Sequence, residues 1–408
     1  MGYFKRDLER KFWKASSFFK AVLVTGARQV GKTTMLRHLA EGQSRTYVTL
    51  DDLGARDLAK RDPELFFQMY KPPVTIDEVQ YAPELFPRIK ILCDSTDETG
   101  LFWLTGSQQF QMMKNVRESL AGRMGILELY SLSKRELSGV HYDDEFDISL
   151  DALKSRQLIA PKTDIVEVYD YIWRGGMPQT IGADREQRED YFTSYVNTYL
   201  LRDATELGGI TDSVRFAKFL GAAAALIGQQ LNYKTLSDAA EIAQSTAREW
   251  TKLLQGMGVI YLLEPFSNNA LQRLAKTPKL YFFDSGLAAH LSMWPSAETL
   301  MNGPGSGHYF ENFVITELYK NYAYSSNRVA MSYYRDQNAK EIDLIIEGKR
   351  FIHPIEIKKS ANPDGRDVKK FAVLDKTTLE RGGGGIVCMM GEVLPIDSRD
   401  YFIPCSLI

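Results

Sequence analysis

Gly26-Ala27-Arg28-Gln29-Val30-Gly31-Lys32-Thr33 follows the apolar run Ala21-Val22-Leu23-Val24 and precedes Thr34-Met35-Leu36-Arg37-His38-Leu39-Ala40, which has the pattern of a helix. Strand, glycine-bounded loop, lysine, hydroxyl and helix in that order form a phosphate-binding P-loop. Gly26 and Gly31 allow the tight turn that aims successive N–H groups and the helix N-terminus at anionic oxygens. The predicted binding segment is Gly26, Ala27, Arg28, Gln29, Val30, Gly31, Lys32, Thr33 and Thr34. Lys32 reaches the β and γ phosphates, and the Thr33 hydroxyl holds Mg2+.

Outward from this loop, Thr46 to Asp51 reads as a second strand and Pro73-Val74-Thr75-Ile76-Asp77-Glu78 as a third, closing on two carboxylates. Asp77 is expected to hold Mg2+ through water, and Glu78 to polarise an attacking water. A further strand, Leu101-Phe102-Trp103-Leu104-Thr105, stops at Gly106-Ser107-Gln108. Parallel strands converge on a ligand at their carboxyl ends, so Ser107, or Thr105 in its place, is expected to sense the γ-phosphate. Arg123 follows Leu120-Ala121-Gly122 and precedes the strand Ile126 to Tyr130. Its expected role is to stabilise the transferring phosphate, in its own site or a neighbour's; a surface ion pair is the alternative.

These segments, with the Asp51 strand end, resemble the AAA-type P-loop ATPases of bacteria and archaea that carry a poorly characterised C-terminal region. Trp173-Arg174-Gly175-Gly176-Met177-Pro178, Tyr199-Leu200-Leu201-Arg202-Asp203 and Lys279 to Leu287 resemble the linking motifs of that architecture, so the likeness spans nearly the whole chain. It implies an α/β fold: a P-loop parallel sheet over residues 1–142, an insertion and helical linker over 143–211, a winged-helix-like domain over 212–300, and a restriction-endonuclease-like α/β domain over 301–408. It also implies ATP and Mg2+ as cofactors, ATP hydrolysis, DNA as a partner and the option of a homo-oligomer.

Composition sets few limits. Among 408 residues, 44% apolar and 25% charged is ordinary for globular domains, and a net charge of −2 gives no global attraction to nucleic acid or anionic lipid. Cys93, Cys388 and Cys405 lie far apart without metal-ligand spacing, and are expected to be reduced and packed in a cytoplasmic protein. No run is long and apolar enough to span a bilayer, so no membrane partner is expected.

In the middle of the chain, Arg185 to Asp203 reads as a polar helix. Thr235 to Ile242, a turn, Ser245 to Leu254 and the strand Val259 to Leu263 give helix, turn, helix, strand, the order of a winged helix. Gln244, Arg248 and Lys252 recur every four residues as a DNA-facing stripe, but Glu249 interrupts it. Packing or protein contact is the alternative use of that module.

Near the C-terminus, Tyr309 to Tyr319 suits a helix, and Glu341 to Glu347 and Phe351 to Lys358 two adjacent strands. Alternation puts Glu356 and Lys358 on one face, where Asp343 of the neighbouring strand can meet them. With Glu311 from the preceding helix, Asp343, Glu356 and Lys358 resemble the Asp…Glu-x-Lys constellation of restriction-endonuclease-like enzymes, which use Mg2+ to attack phosphodiesters. A nuclease-like fold that only binds a partner remains the second reading, a small-molecule kinase the third. Gly382 to Gly385 is expected to be a hairpin loop.

Overall fold

The computed structural model describes residues 2–106, 120–142, 144–267, 277–327, 329–338, 340–348 and 350–408. The chain divides into two units, one of residues 1–132 with 256–259, the other of 133–255 with 260–408.

The first unit is built on five strands: β1 (Ala21–Thr25), β2 (Thr46–Thr49), β3 (Val74–Asp77), β4 (Phe102–Thr105) and β5 (Met124–Glu128). They run parallel in the order β2-β3-β4-β1-β5. The residues of β1, β3 and β4 are buried throughout, as expected of parallel strands covered on both faces. Helices α1 (Leu8–Ser16), α2 (Lys32–Ala40), α3 (Leu53–Arg61), α4 (Pro63–Met69) and α5 (Leu85–Asp94) accompany the sheet. Leu23, Ile76, Leu104, Phe66, Phe86 and Ile89 are fully buried members of one core cluster. Because β4 lies between β1 and β3, three strand ends line up: the P-loop after β1, Thr105 at the end of β4 and Asp77 at the end of β3.

In the second unit a long helix departs from the expected boundary. Arg185–Tyr195 continues through a π-helical turn, Val196–Leu200, into Leu201–Gly208. Helices Ser213–Ala225, Tyr233–Ala240 and Gln244–Gly256 follow, then the antiparallel pair β6 (Ile260–Leu263) and β7 (Lys279–Phe282). Ile227 and Gln230, between the first two of these helices, also bridge to β7.

The linking motifs interlock. Asp284 accepts from the Gly176 and Leu287 amides, both at 2.9 Å, and the buried Arg188 guanidinium donates to the carbonyls of Trp173 and Gly286. A Cβ on Gly286 would sit 2.4 Å from the Arg174 carbonyl, so only glycine lets the two segments touch.

Helix Ser306–Tyr324 leads into a mixed sheet of β8 (Ala330–Arg335), β9 (Glu341–Glu347), β10 (Phe351–Ile357), β11 (Glu380–Arg381), β12 (Gly384–Cys388), β13 (Leu394–Pro395) and β14 (Asp400–Pro404). β8, β9 and β10 are antiparallel neighbours, whereas β10, β12 and β14 run parallel. The expected hairpin at Gly382 to Gly385 is absent. Gly384 and Gly385 begin β12 between two neighbours, where added Cβ atoms would fall 2.5 Å from the Pro354 carbonyl and 2.2 Å from that of Tyr401. Close backbone approach, not turning, accounts for these two glycines. No described helix is long and apolar enough to cross a membrane, and the three cysteines are buried and free of disulfides.

Candidate functional site

The loop after β1 has the backbone its glycines predict. Gly26 and Gly31 take φ of 138° and 99°, and Gln29 between them a positive φ of 60°. A Cβ on Gly26 would lie 2.1 Å from the Leu129 carbonyl, so the loop starts flush against the end of β5. Helix α2 begins at Lys32, whose buried ammonium donates to the carbonyls of Gly26 (3.0 Å) and Ala27 (2.7 Å). The cation is thereby held across the mouth of the loop whose amides α2 extends.

Thr33, on the first turn of α2, donates to Asp77 Oδ1 at 2.7 Å. The same carboxylate accepts from the Thr105 hydroxyl, and its other oxygen accepts from the Tyr47 hydroxyl at 3.0 Å. Asp77 is only 5% exposed, and among the described residues its side-chain hydrogen bonds all come from hydroxyls, which carry no positive charge. Burial first, and then the nearby Asp77 carboxylate, push the Tyr47 phenol up to about 12. Thr105 also accepts from the Glu78 amide at 3.0 Å. Glu78 itself sits in the left-handed region (φ 55°, ψ 47°), and its side chain accepts from Gln80 Nε2. A non-glycine residue held in that region is a mark of functional sites.

The structure thus brings Lys32, Thr33, Asp77 and Glu78 to one edge of the sheet, and Thr105 joins Asp77 to Glu78. Ser107 lies outside the described residues. Arg123 is not brought to the loop of its own chain. It precedes Met124, which pairs with Ala21 at the start of β1, whereas the P-loop follows Thr25 at its end. The length of a five-residue strand, on the order of 15 Å, separates them. Arg123 instead makes a bidentate pair with Asp94, its Nε 2.5 Å from Oδ1, at a partly exposed position. Sequence reading missed Tyr47, although it shares strand parity with Thr49, the register partner of Asp77.

The second unit gathers the other predicted residues. The β9–β10 register pairs Leu344 with Ile355, which puts Asp343 across from Glu356, and Asp343 Oδ2 accepts from the Ile357 amide at 2.8 Å. Glu356, 1% exposed, pairs through Oε1 with Lys358 Nζ at 2.7 Å and through its other oxygen with Lys370. Glu311 Oε1 accepts from Lys279 Nζ (2.8 Å) and the Tyr281 hydroxyl (2.6 Å), and Lys279 also lies 2.5 Å from Glu341. Burial, reinforced by Asp343, pushes both Glu311 and Glu356 up to about 7. Burial opposes the Lys279 charge, but Glu311, Asp343 and Glu341 outweigh it and raise its pKa. Among the described residues no three carboxylate, imidazole or thiolate groups converge as a metal cage. As arranged, Glu356 meets Lys358 and Lys370, Asp343 accepts from a backbone amide, and Glu311 is committed to Lys279 and Tyr281. Those two partners share a face of β7 by their i, i+2 spacing, a legible signal; Lys370 gave none.

On helix Gln244–Gly256 the residues Gln244, Arg248, Glu249 and Lys252 are all exposed, while Ala247, Trp250, Thr251 and Leu254 are buried. The Arg248 guanidinium lies 4.2 Å from the centre of the Tyr233 ring.

Comparison with known proteins matches residues 18–138 to the AAA domain family. Residues 165–298 and 306–408 match two domains of unknown function, DUF8612 and DUF4143. Two mycobacterial relatives, the uncharacterized proteins Rv2008c of Mycobacterium tuberculosis and Mb2031c of Mycobacterium bovis, are each 28% identical over 374 residues, covering 91% of this chain and 77% of theirs. Among solved structures, the Walker-type ATPase PABY2304 of Pyrococcus abyssi is 16% identical with a TM-score of 0.40, covering 71% of this chain and 96% of its own. A RuvB variant of Thermotoga maritima is 16% identical with a TM-score of 0.30, covering 62% and 85%.

Proposed function

Residues 18–138 being an AAA-type P-loop domain, we propose that this protein binds and hydrolyses ATP with Mg2+, and that its nucleotide state controls a nucleic-acid-binding module in the second unit. The observation that carries the reading is the hydrogen bond between Thr33 on the P-loop helix and the buried carboxylate of Asp77. A hydroxyl and a carboxylate at that point are the oxygen donors a magnesium ion takes, so the residues fit the group. Bound Mg2+ with ATP would supply the transferable phosphoryl group and offset its charge. The chain's own residues do the rest. The Gly26 to Thr34 segment binds phosphate through backbone amides, and Lys32 adds a charge at the loop mouth. Thr33 and Asp77 would hold the ion, and Tyr47 and Thr105 fix the Asp77 carboxylate. Glu78 orients the attacking water, with its backbone pinned by Thr105. Arg123 has a place in catalysis only in a neighbouring copy's site.

In the second unit, the helix, bridge, helix, turn, helix and two-strand order supports a winged-helix reading, with Gln244, Arg248 and Lys252 as its DNA face. Two cations there give weak binding, with a salt slope of about −2. A C-terminal domain that binds without cutting is favoured by the pairing of Glu356 with Lys370 and of Glu311 with Lys279, two lysines outside the Asp…Glu-x-Lys set. The second reading, metal-dependent nuclease chemistry at Asp343, Glu356 and Lys358, is favoured by Asp343 lying across from Glu356.

The ATPase reading and the choice between binding and cutting are tested by phosphate release from Mg-ATP, and by cleavage of supercoiled, linear and branched DNA, in the intact protein, Lys32→Ala and Asp343→Ala. The expected result is phosphate release lost in Lys32→Ala and unchanged in Asp343→Ala, with every DNA intact. Cleavage that Asp343→Ala abolishes would replace the binding reading with the nuclease one. Phosphate release that survives Lys32→Ala would overturn the ATPase reading.

A further inference from the structure

We infer that Arg6 is a positioning residue for the phosphate-binding loop, fixing the Val30–Gly31 peptide so that the Gly31 N–H faces the phosphate. The inference rests on the ATP reading above. Arg6, 3% exposed, precedes α1 and lies far in sequence from the groups it bridges. One guanidinium nitrogen donates to the Val30 carbonyl at 2.9 Å and another to the Tyr130 carbonyl at 2.7 Å, both bonds buried.

The Val30 carbonyl and the Gly31 N–H belong to the same peptide unit. Such a unit is planar and trans, so its C=O and N–H point in opposite directions. Drawing the oxygen to Arg6 therefore turns the Gly31 N–H the other way. Gly31 takes a φ of 99°, which glycine adopts without steric cost, so its missing Cβ does not by itself fix which way the peptide faces.

The anchor is itself held. The Arg6 amide donates to Glu9 Oε1 at 2.7 Å, which also accepts from the Tyr3 hydroxyl at 2.7 Å. The Tyr3 ring stacks on His38 of α2 with centroids 3.9 Å apart. On the far side, the Leu129 amide donates to Thr25 at 2.8 Å, and Gly26 packs on the Leu129 carbonyl. Arg6 thus joins the loop to the end of β5 along the seam where the loop begins. A guanidinium suits this task because its rigid fork serves two carbonyls at once, which a lysine ammonium on a flexible stem does less well.

The test uses the full chain as wild type, Arg6→Lys, Arg6→Ala and Lys32→Ala. It measures equilibrium binding of Mg-ATP, competition by inorganic tripolyphosphate, the fraction of binding-competent molecules and thermal unfolding. Arg6→Ala is expected to weaken ATP and tripolyphosphate by the same factor, about tenfold, the worth of one hydrogen bond to a charged group. Arg6→Lys is expected to fall between Arg6→Ala and wild type, and it decides the question if Arg6→Ala does not fold. Wild-type affinity for both ligands in a folded Arg6 variant would overturn the inference. So would a loss confined to the competent fraction or to the melting temperature, the mark of a structural role alone. Failure of the wild type to bind ATP, or full binding by Lys32→Ala, would overturn the P-loop reading and this inference with it.

Discussion

Two buried carboxylate sites, one in each unit, are held by different chemistry. At the end of β3, Asp77 accepts from the hydroxyls of Thr33, Thr105 and Tyr47. On β10, Glu356 meets Lys358 and Lys370, and nearby Glu311 meets Lys279 and Tyr281. Hydroxyls orient a carboxylate without bringing a positive charge to it, whereas a lysine ammonium does both. The same residue types therefore meet different partners in the two units, and under the ATP reading only the first is left for a bound cation to complete.

The largest test of this contrast removes the P-loop cation. Lys32→Ala is expected to lower ATP turnover by about a thousandfold, the upper range for loss of one charge-stabilising donor, while leaving hydrogen exchange across β9 and β10 unchanged. Protection lost in β9 and β10 would break the comparison by making the second site depend on the first.

Next in size is Lys279→Met, which strands the largely buried Glu311 and leaves the part-exposed Glu341 with Arg335 alone. Breaking such a pair costs about 3 kcal/mol or more, read as earlier denaturant unfolding of the second unit. An unchanged midpoint would mean that Lys279 does not neutralise the cluster.

The pH response is spread over a range of pH and has a definite sign. Glu311 and Glu356 keep their protons up to about 7 when folded, well above the usual carboxylate value near 4.5. Between these limits the folded state binds more protons than the unfolded, so stability of the second unit falls as pH rises from about 4.5 to 7. The limiting slope is about 1.4 kcal/mol per pH unit for each carboxylate. Glu356→Gln should flatten that slope, and an unaltered pH profile by hydrogen exchange at β10 would contradict it.

Smallest is Tyr47→Phe, which removes one of three hydroxyls from Asp77. A loss of about 1 kcal/mol predicts a change of several-fold in the Mg2+ concentration that half-saturates ATP turnover. No change would leave Thr33 and Thr105 sufficient to orient the carboxylate.

Much of the first unit was legible in the sequence because its signals are local. A P-loop is one continuous stretch, and Gly26 and Gly31 are required by backbone dihedrals that a neighbour does not alter. Strand β9 was likewise readable, and strand parity alone placed Asp343 near Glu356. Arg123 left two roles open because an arginine before a strand says nothing about which end of the sheet holds the ligand; within its own chain it takes the ion-pair role, with Asp94 at the end of α5. Gly384 and Gly385 misled because glycine permits close packing as readily as turning.

The sequence by itself determined the phosphate loop, the carboxylates that end β3 and the alternation that aligns β9 with β10, since each follows from spacing along a few consecutive residues. Tertiary structure alone decided that β4 would lie between β1 and β3 and deliver Thr105 to Asp77. It also decided that Tyr47 would reach Asp77 and Arg6 the loop after β1, and that Lys279 and Lys370 would pair with buried acids. Those partners lie more than a dozen positions away in the chain, and a hydrogen bond or ion pair acts only across a few ångströms of space.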